Sequence, residues 1–333
     1  HELRLPDSLP EGGSVSVVDL KTGVTTLLAQ DPSFNALDGI RWTPWKTLLF
    51  AEETEGGRLF EIILNKDLVS GSVIDRPAVG RLAHEGIDIG PDGAVYVVDE
   101  HRGLTSGCDT GTPCGGGIYR FVPDRRGDLS SGSLYALRVI DNADLEGVGQ
   151  AEWVGPIDPL NARQSGSEFG ATSYQRPEDL EIIADTLYVA ITEGTRDEFG
   201  DQNYDGRVIA INLNSLIVTD FVKPGVNAPV ETGRPGEAGF QTGFDNPDNL
   251  AESPDGKLVI VEDNIPSDIW FADRDRGNAG TADGVWLFGS LSDPGAEGTG
   301  IYFGKDPQTL FVNIQHSAAD DGDATWAITK HAK

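Results

Sequence analysis

The sequence predicts an all-β fold, a β-propeller most simply read as six-bladed, on three observations. Short segments rich in Val, Ile, Leu, Tyr and Phe recur along the chain, each bounded by Gly, Pro, Asp or Asn, and helical periodicity is nearly absent. Five times a carboxylate- or polar-rich turn leads into a hydrophobic strand that ends on another acid or amide. These copies run from Asp38 to Glu53, Glu85 to Asp99, Glu178 to Glu193, Asp248 to Asp263 and Thr299 to Gln315. Their strand markers, Phe50, Tyr96, Tyr188, Ile260 and Phe311, stand 46, 92, 72 and 51 residues apart, which fits blades of about 40 to 50 residues with insertions.

Taken in order, the strand-like segments are residues 14–20, 47–51, 58–63, 94–98, 117–122, 133–140, 186–191, 207–211, 257–261, 284–288 and 308–314. The spacing of 92 is expected to hold a degenerate blade between Ser133 and Gly155, which makes six with the five clear copies. No linker divides the chain, so residues 1–333 read as one domain. Residues 158–174 and 223–243 lack strand pattern and read as long loops, suited to wall a substrate site.

Composition narrows the function. No apolar run approaches the roughly 20 residues of a membrane span, which argues against membrane insertion. With 54 acids against 25 bases the net charge is −29, a field that repels nucleic-acid phosphates and anionic membranes and favours cations. Most of these acids read as a solvated face. The chain has no methionine, so the translation start is absent, as after signal-peptide cleavage or trimming of a tag. Cys108 and Cys114, the only cysteines, close a Gly/Pro-rich turn and read as a small disulfide. A thiol metal site there lacks the two further ligands that zinc wants. The expected setting is therefore oxidising: secreted, periplasmic or an organelle lumen.

In a propeller the first strand of each blade lines the axis, so residues at its start converge. Asp38, Glu85, Glu178 with Asp179, and Asp248 with Asn249 stand just ahead of Ile40, Ile87, Leu180 and Leu250. Carboxylates gathered there would repel one another, and a cation relieves that repulsion. Oxygen donors without His or Cys point to calcium. The same acids could instead cap turns between blades.

Six segments then carry a family likeness. Thr43-Pro-Trp-Lys-Thr-Leu-Leu-Phe-Ala-Glu-Glu, Gly80-Arg-Leu-Ala-His-Glu-Gly, Gly116-Gly-Ile-Tyr-Arg-Phe-Val-Pro, Arg176-Pro-Glu-Asp-Leu-Glu, Pro247-Asp-Asn-Leu-Ala-Glu-Ser-Pro-Asp-Gly and Leu310-Phe-Val-Asn-Ile-Gln-His resemble, in the same order, the PhoX-like family of secreted phosphatases. The resemblance implies a calcium-dependent propeller that hydrolyses phosphate esters, in its best-known members through a mixed iron and calcium cluster. It implies Glu53, Glu85, Glu178, Asp248 and Glu297 as metal ligands and Arg176 as the catalytic clamp on phosphate. Glu52 and Glu53 match the family's paired acids. The family's iron-ligating cysteine ahead of Thr-Pro-Trp has no counterpart, since this chain reads Asn35-Ala-Leu-Asp-Gly-Ile-Arg-Trp there. Asp38 offers an oxygen in its place, and a hard carboxylate argues against iron.

Two further features bear on the chemistry. Asp201-Gln-Asn-Tyr-Asp-Gly opens like a calcium loop, but its twelfth position is Asn212 and a strand follows, so it is no EF-hand. The five histidines show no metal spacing, and no Gly-x-Ser-x-Gly elbow exists. His84 and His316 remain as possible general acids. The expected activity is metal-assisted hydrolysis of a small phosphorylated substrate. The alternatives are a calcium lactonase of the gluconolactonase and paraoxonase kind, and a non-catalytic calcium-binding scaffold with a protein partner.

Overall fold

The computed structural model describes residues 12–103, 113–142, 146–194, 205–233, 238–274, 280–291, 295–317 and 322–330. The chain forms two compact units, one of His1–Arg102, Cys108–Arg138 and Trp153–Ser173, the other of Gly103–Gly107, Val139–Glu152 and Tyr174–Lys333. Both consist of antiparallel meanders in chain order, the blade unit of a β-propeller.

The first unit opens with a hairpin, β1 (Gly13–Val18) and β2 (Thr25–Asp31). A four-stranded blade follows, β3 (Leu37–Trp42), β4 (Leu48–Glu52), β5 (Leu59–Leu64) and β6 (Gly71–Asp75). The next blade is β7 (His84–Ile89), β8 (Val95–Asp99), β9 (Ile118–Arg125) and β10 (Asp128–Val139). Strand β11 (Gly149–Ile157) and helix α1 (Ala162–Glu168) come after it. The second unit holds two four-stranded blades. One is β12 (Pro177–Ile183), β13 (Thr186–Ile191), β14 (Arg207–Asn212) and β15 (Ile217–Val222), and the other β16 (Pro247–Glu252), β17 (Leu258–Glu262), β18 (Asp268–Arg274) and β19 (Ala282–Ser290). A three-stranded sheet of β20 (Glu297–Phe303), β21 (Thr309–Gln315) and β22 (Ala324–Thr329) completes it.

Second strands are the apolar heart of these blades. Every residue of β8, β13 and β17 is buried, so their sequences run continuously apolar instead of alternating. The cause is face-to-face packing of neighbouring sheets inside each unit, β4 on β7 in the first, β13 on β16 and β17 on β20 in the second. Aromatic rings fill the wide ends: Phe34, Phe50 and Phe60 sit with centroids 5.0 to 5.4 Å apart, and Tyr188 lies 4.6 Å from Phe221. Outward strands lose this cover, and β6 and β22 are largely exposed. Tight turns return each second strand. At Pro91–Gly93 and Pro254–Gly256 the glycines adopt φ of 87° and 80°, a left-handed conformation that an L side chain resists.

All eleven strand segments expected from the sequence fall on strands. Residues 133–155 differ from expectation: they supply the end of β10, the outer strand of the second blade, and the start of β11, not a degenerate blade of their own. Its Tyr135 and Leu134 pair with Arg120 and Phe121 of β9, and a partner that close in sequence makes the hairpin the cheapest pairing. Residues 158–174, expected as loop, contain α1. Residues 223–243 hold only isolated bridges where described, such as Thr232 with Gln241.

The first strands carry the device that matters for the site. Asp38 and Ile40 face Ala51 and Phe50; His84 and Ile87 face Asp99 and Val97; Pro177 and Leu180 face Ile191 and Val189. Likewise Pro247 and Leu250 face Glu262 and Ile260, and Thr299 and Ile301 face Asn313 and Val312. Every first strand thus holds one residue more than its partner, a β-bulge that re-aims the side chains beside it. Asp38, Glu85, Glu178, Asp248 and Thr299 all stand at this bulge.

Candidate metal centre

In the first unit the bulges of β3 and β7 bring Asp38, Glu53 and Glu85 together, with one carboxylate oxygen from each within 4.8 Å of the others. Glu85 is buried and the other two are partly buried. Gly39 makes the approach possible: a Cβ there would stand 1.8 Å from the Glu85 carbonyl oxygen. Only glycine lets β3 close on β7 this tightly. Glu53 is placed by its own amide, which donates to the Ala36 carbonyl at 2.7 Å, with Ala36 held at φ 45°. Three convergent carboxylates and no thiolate or imidazole make a donor set for a hard cation such as calcium. Asp38, absent from the ligand set that the family resemblance implies, is a member of this group.

Two further acids of the first unit are locked beside this group. Glu52, paired with Leu37, accepts the Arg58 Nε at 2.8 Å and Nη2 at 2.6 Å and the Asn35 amide at 3.0 Å. Asp99, paired with His84, accepts Arg163 Nε at 2.6 Å and Nη2 at 2.8 Å and the Ala83 amide at 2.9 Å. Forked arginine contacts of this kind fix a carboxylate in place. Adjacent acids that look alike in sequence therefore divide the labour: Glu52 holds backbone, and Glu53 joins the carboxylate group.

In the second unit Glu178 and Asp248 are buried, with carboxylate oxygens within 4.8 Å of each other. Thr192 ties their strands, its hydroxyl donating to the Pro247 carbonyl at 2.6 Å and its carbonyl accepting Asn246 Nδ2 at 3.0 Å. Asp179 Oδ2 accepts the Leu250 amide at 2.9 Å and so serves the scaffold. Arg176, at φ 52°, reaches Glu178 Oε1 with Nη2 at 2.8 Å and Asp263 at 3.7 Å. Glu297 begins β20, where it accepts Gln315 Nε2 at 3.2 Å and lies 3.8 Å from His316 Nε2. It belongs to neither carboxylate group found among the described residues. Asp201 and Cys108 lie outside the described residues, and with them the calcium-loop-like motif that Asp201 opens and the disulfide expected from the sequence.

His84 is unsuited to acid catalysis. It is fully buried and donates from Nε2 to the Gly80 carbonyl at 3.1 Å, and burial pulls its pKa down to about 4. The ring is neutral at physiological pH and sealed from solvent.

Another set of acids in the second unit was not anticipated. Glu262 occupies the position of Glu52 and Asp99 in its blade and accepts the Asp245 amide at 2.8 Å, but Asn264 donates to it and to Asp245 where an arginine serves the two blades of the first unit. Burial first, then the charges of Glu231, Asp205 and Asp268, push the Asp245 pKa up from 3.8 to about 7. The folded-state value exceeds the unfolded one, so ionised Asp245 destabilises the fold above pH 7, and stability returns as pH falls from 7 towards 4. Asp245→Asn is expected to stabilise by about 1 to 2 kcal/mol at pH 8, after allowance for solvent screening, and by almost nothing near pH 4. Thermal melts at the two pH values test this; an equal gain at both would rule out the titration.

The likenesses to known proteins agree with this fold. Pseudomonas fluorescens PhoX, solved in complex with vanadate, a transition state analogue, superposes with a TM-score of 0.64 at 20% identity over 93% of this chain and 71% of that one. A solved gluconolactonase-like protein gives a TM-score of 0.50 at 12% identity over 89% of this chain and 75% of that one. At such identities these likenesses show the propeller fold alone. No curated protein matches the sequence. Residues 57–318, however, match the family described as alkaline phosphatase PhoX, and that span covers most of the chain: it belongs to the PhoX alkaline phosphatase family, whose fold and phosphatase-type hydrolase class it shares.

Proposed function

We propose that this protein is a calcium-dependent phosphoric ester hydrolase acting on a small phosphorylated substrate. The oxygen-only group of Asp38, Glu53 and Glu85 carries the reading, because its donors fit a hard cation and its bulge glycine fits no other residue. Family membership supplies the reaction class. In the second unit Glu178 and Asp248 are the ligands proposed, and Glu297 is proposed with them from its place at the start of β20. A bound calcium would lower the pKa of a coordinated water and neutralise phosphate oxygens.

The chain's own groups do the rest. Arg176 presents a guanidinium whose Nη2 lies 2.8 Å from Glu178 and 3.7 Å from Asp263, beside the second unit's carboxylates, and its planar fork matches two oxygens of a phosphoryl group. Charge that grows on those oxygens during hydrolysis strengthens the contact, which is how a clamp accelerates the step instead of merely binding. The locked acids Glu52 and Asp99 keep the ligand-bearing backbone from relaxing when the carboxylates repel. An exported, oxidising setting belongs to the same proposal, supported by the two cysteines, Cys108 and Cys114, that stand six residues apart in one Gly/Pro-rich stretch of the sequence.

Stripping the protein with EGTA is expected to abolish hydrolysis of p-nitrophenyl phosphate and to lower the melting temperature, both restored by added calcium. Turnover that survives chelation unchanged would sink the metal mechanism, and lactone hydrolysis in its place would favour the gluconolactonase-type reading.

A further inference from the structure

The Arg163 side chain projects from α1, a segment without strand pattern, yet it grips the end of β8, which pairs with β7, and the turn that follows Glu53. Its Nε and Nη2 form a fork on Asp99 at 2.6 and 2.8 Å, and its Nη1 contacts Glu55. The partners lie 64 and 108 residues away in sequence. Asp99 is fully buried, pairs with His84 across the ladder, and accepts the Ala83 amide at 2.9 Å. The two residues immediately before Glu85 are thus held by the acid that Arg163 holds. Glu55 lies two residues beyond Glu53, in the turn that leads to Gly57, whose carbonyl accepts the Leu82 amide at 3.3 Å. One guanidinium therefore links the turn after Glu53 to the acid that holds the two residues ahead of Glu85.

We propose that Arg163 is a positioning residue that sets the approach of Glu53 to Glu85 and so tunes cation affinity at the Asp38, Glu53 and Glu85 group. The inference rests on the metal-centre reading above. Three carboxylates within 4.8 Å repel one another when no cation is bound. Their spacing has to be imposed by the scaffold, and affinity falls steeply when ligands drift by even a fraction of an ångström. The equivalent arginine of the first blade, Arg58, grips Glu52 from six residues away and donates to the Ser33 carbonyl, so it ties one blade to the segment that leads into it. Arg163 differs in joining two blades through a segment that belongs to neither. Loss of its fork leaves Asp99 buried with no guanidinium, frees the Ala83 amide to shift, and lets the turn after β4 swing away.

The test is calcium titration by calorimetry of the full-length, EGTA-stripped protein, following the binding event that Glu85→Gln removes. Arg163→Met is expected to weaken that event about 10- to 100-fold, the range typical of groups that orient metal ligands. Arg163→Lys, which keeps the charge but loses the fork, is expected to recover only part of it. Glu55→Gln removes the exposed arm and is expected to weaken binding about threefold without threatening the fold, so it serves if Arg163→Met does not fold. Arg76→Met is the control: it breaks another arginine–carboxylate pair of the same unit, Arg76 with buried Glu61 at 2.6 Å, away from the ligands. Its calcium affinity is expected to stay within twofold of the unmodified protein. Unchanged affinity in Arg163→Met and Glu55→Gln, or an equal loss in Arg76→Met, would overturn the inference and leave the metal centre standing. No calcium binding by the unmodified protein would overturn the metal centre and this inference with it.

Discussion

Replacing Glu85 by glutamine is expected to remove calcium binding at the first unit's carboxylate group and, with it, phosphatase activity. Glutamine keeps the side-chain volume but loses a full charge and a strong anionic donor at the most buried of the three positions. A loss of at least about 100-fold in affinity follows, since even groups that only orient ligands commonly cost 10- to 100-fold. Stability should move in the opposite direction. Without calcium, three carboxylates share a small volume, so Glu85→Gln relieves repulsion and the stripped variant should melt no lower than the stripped parent. With calcium at about 100 times its dissociation constant the parent gains about 2.7 kcal/mol, a gain the variant should lack. Melts with EGTA and with calcium, beside calorimetry, decide the matter. A variant that keeps the whole of the parent's calcium-dependent rise in melting temperature would show that the group is structural.

Replacing Arg176 by methionine should separate catalysis from metal binding. Removing a donor aimed at developing charge typically costs about 100- to 1,000-fold in kcat, and that loss is expected here for kcat/KM on a phosphate monoester. Calcium affinity should hold or rise. Nη2 of Arg176 sits 2.8 Å from Glu178, so it competes with a cation for that carboxylate, and its removal leaves Glu178 beside Asp248 with one positive neighbour fewer. Arg176→Lys keeps a point charge without the planar fork and should recover only part of the activity. Inorganic phosphate inhibition provides an independent reading: weaker inhibition in Arg176→Met supports a clamp on phosphate. If calcium affinity collapses together with activity, Arg176 is a structural partner of Glu178 instead.

Much of the candidate site was legible as a repeat. The spacing of acids ahead of Ile87, Leu180 and Leu250 located Glu85, Glu178 and Asp248, because a bulge at a recurrent place needs recurrent chemistry. The strands themselves were hardest to see where they matter most. First strands such as His84–Ile89 and Pro247–Glu252 carry acids, glycine or asparagine at the bulge and read as turns, whereas the all-buried β8, β13 and β17 announce themselves. Nor could spacing distinguish Glu52 from Glu53. The distinction comes from Arg58, whose fork on Glu52 forms only when β4 and β5 are paired. Helix α1 escaped because Ala-Arg-Gln-Ser-Gly-Ser-Glu has no apolar stripe, and its role through Arg163 depends on partners far away in the chain.

By itself, then, the sequence determined the all-β blade pattern, the apolar second strands, the acidic charge balance and the recurring acids, since each follows from local composition and period. Tertiary structure alone decided which acids meet. Asp38, Glu53 and Glu85 converge because a bulge adds one residue to β3 and to β7 and because Gly39 has no Cβ to hold those strands apart. Such convergence depends on distances between segments remote in the chain, which no local pattern encodes.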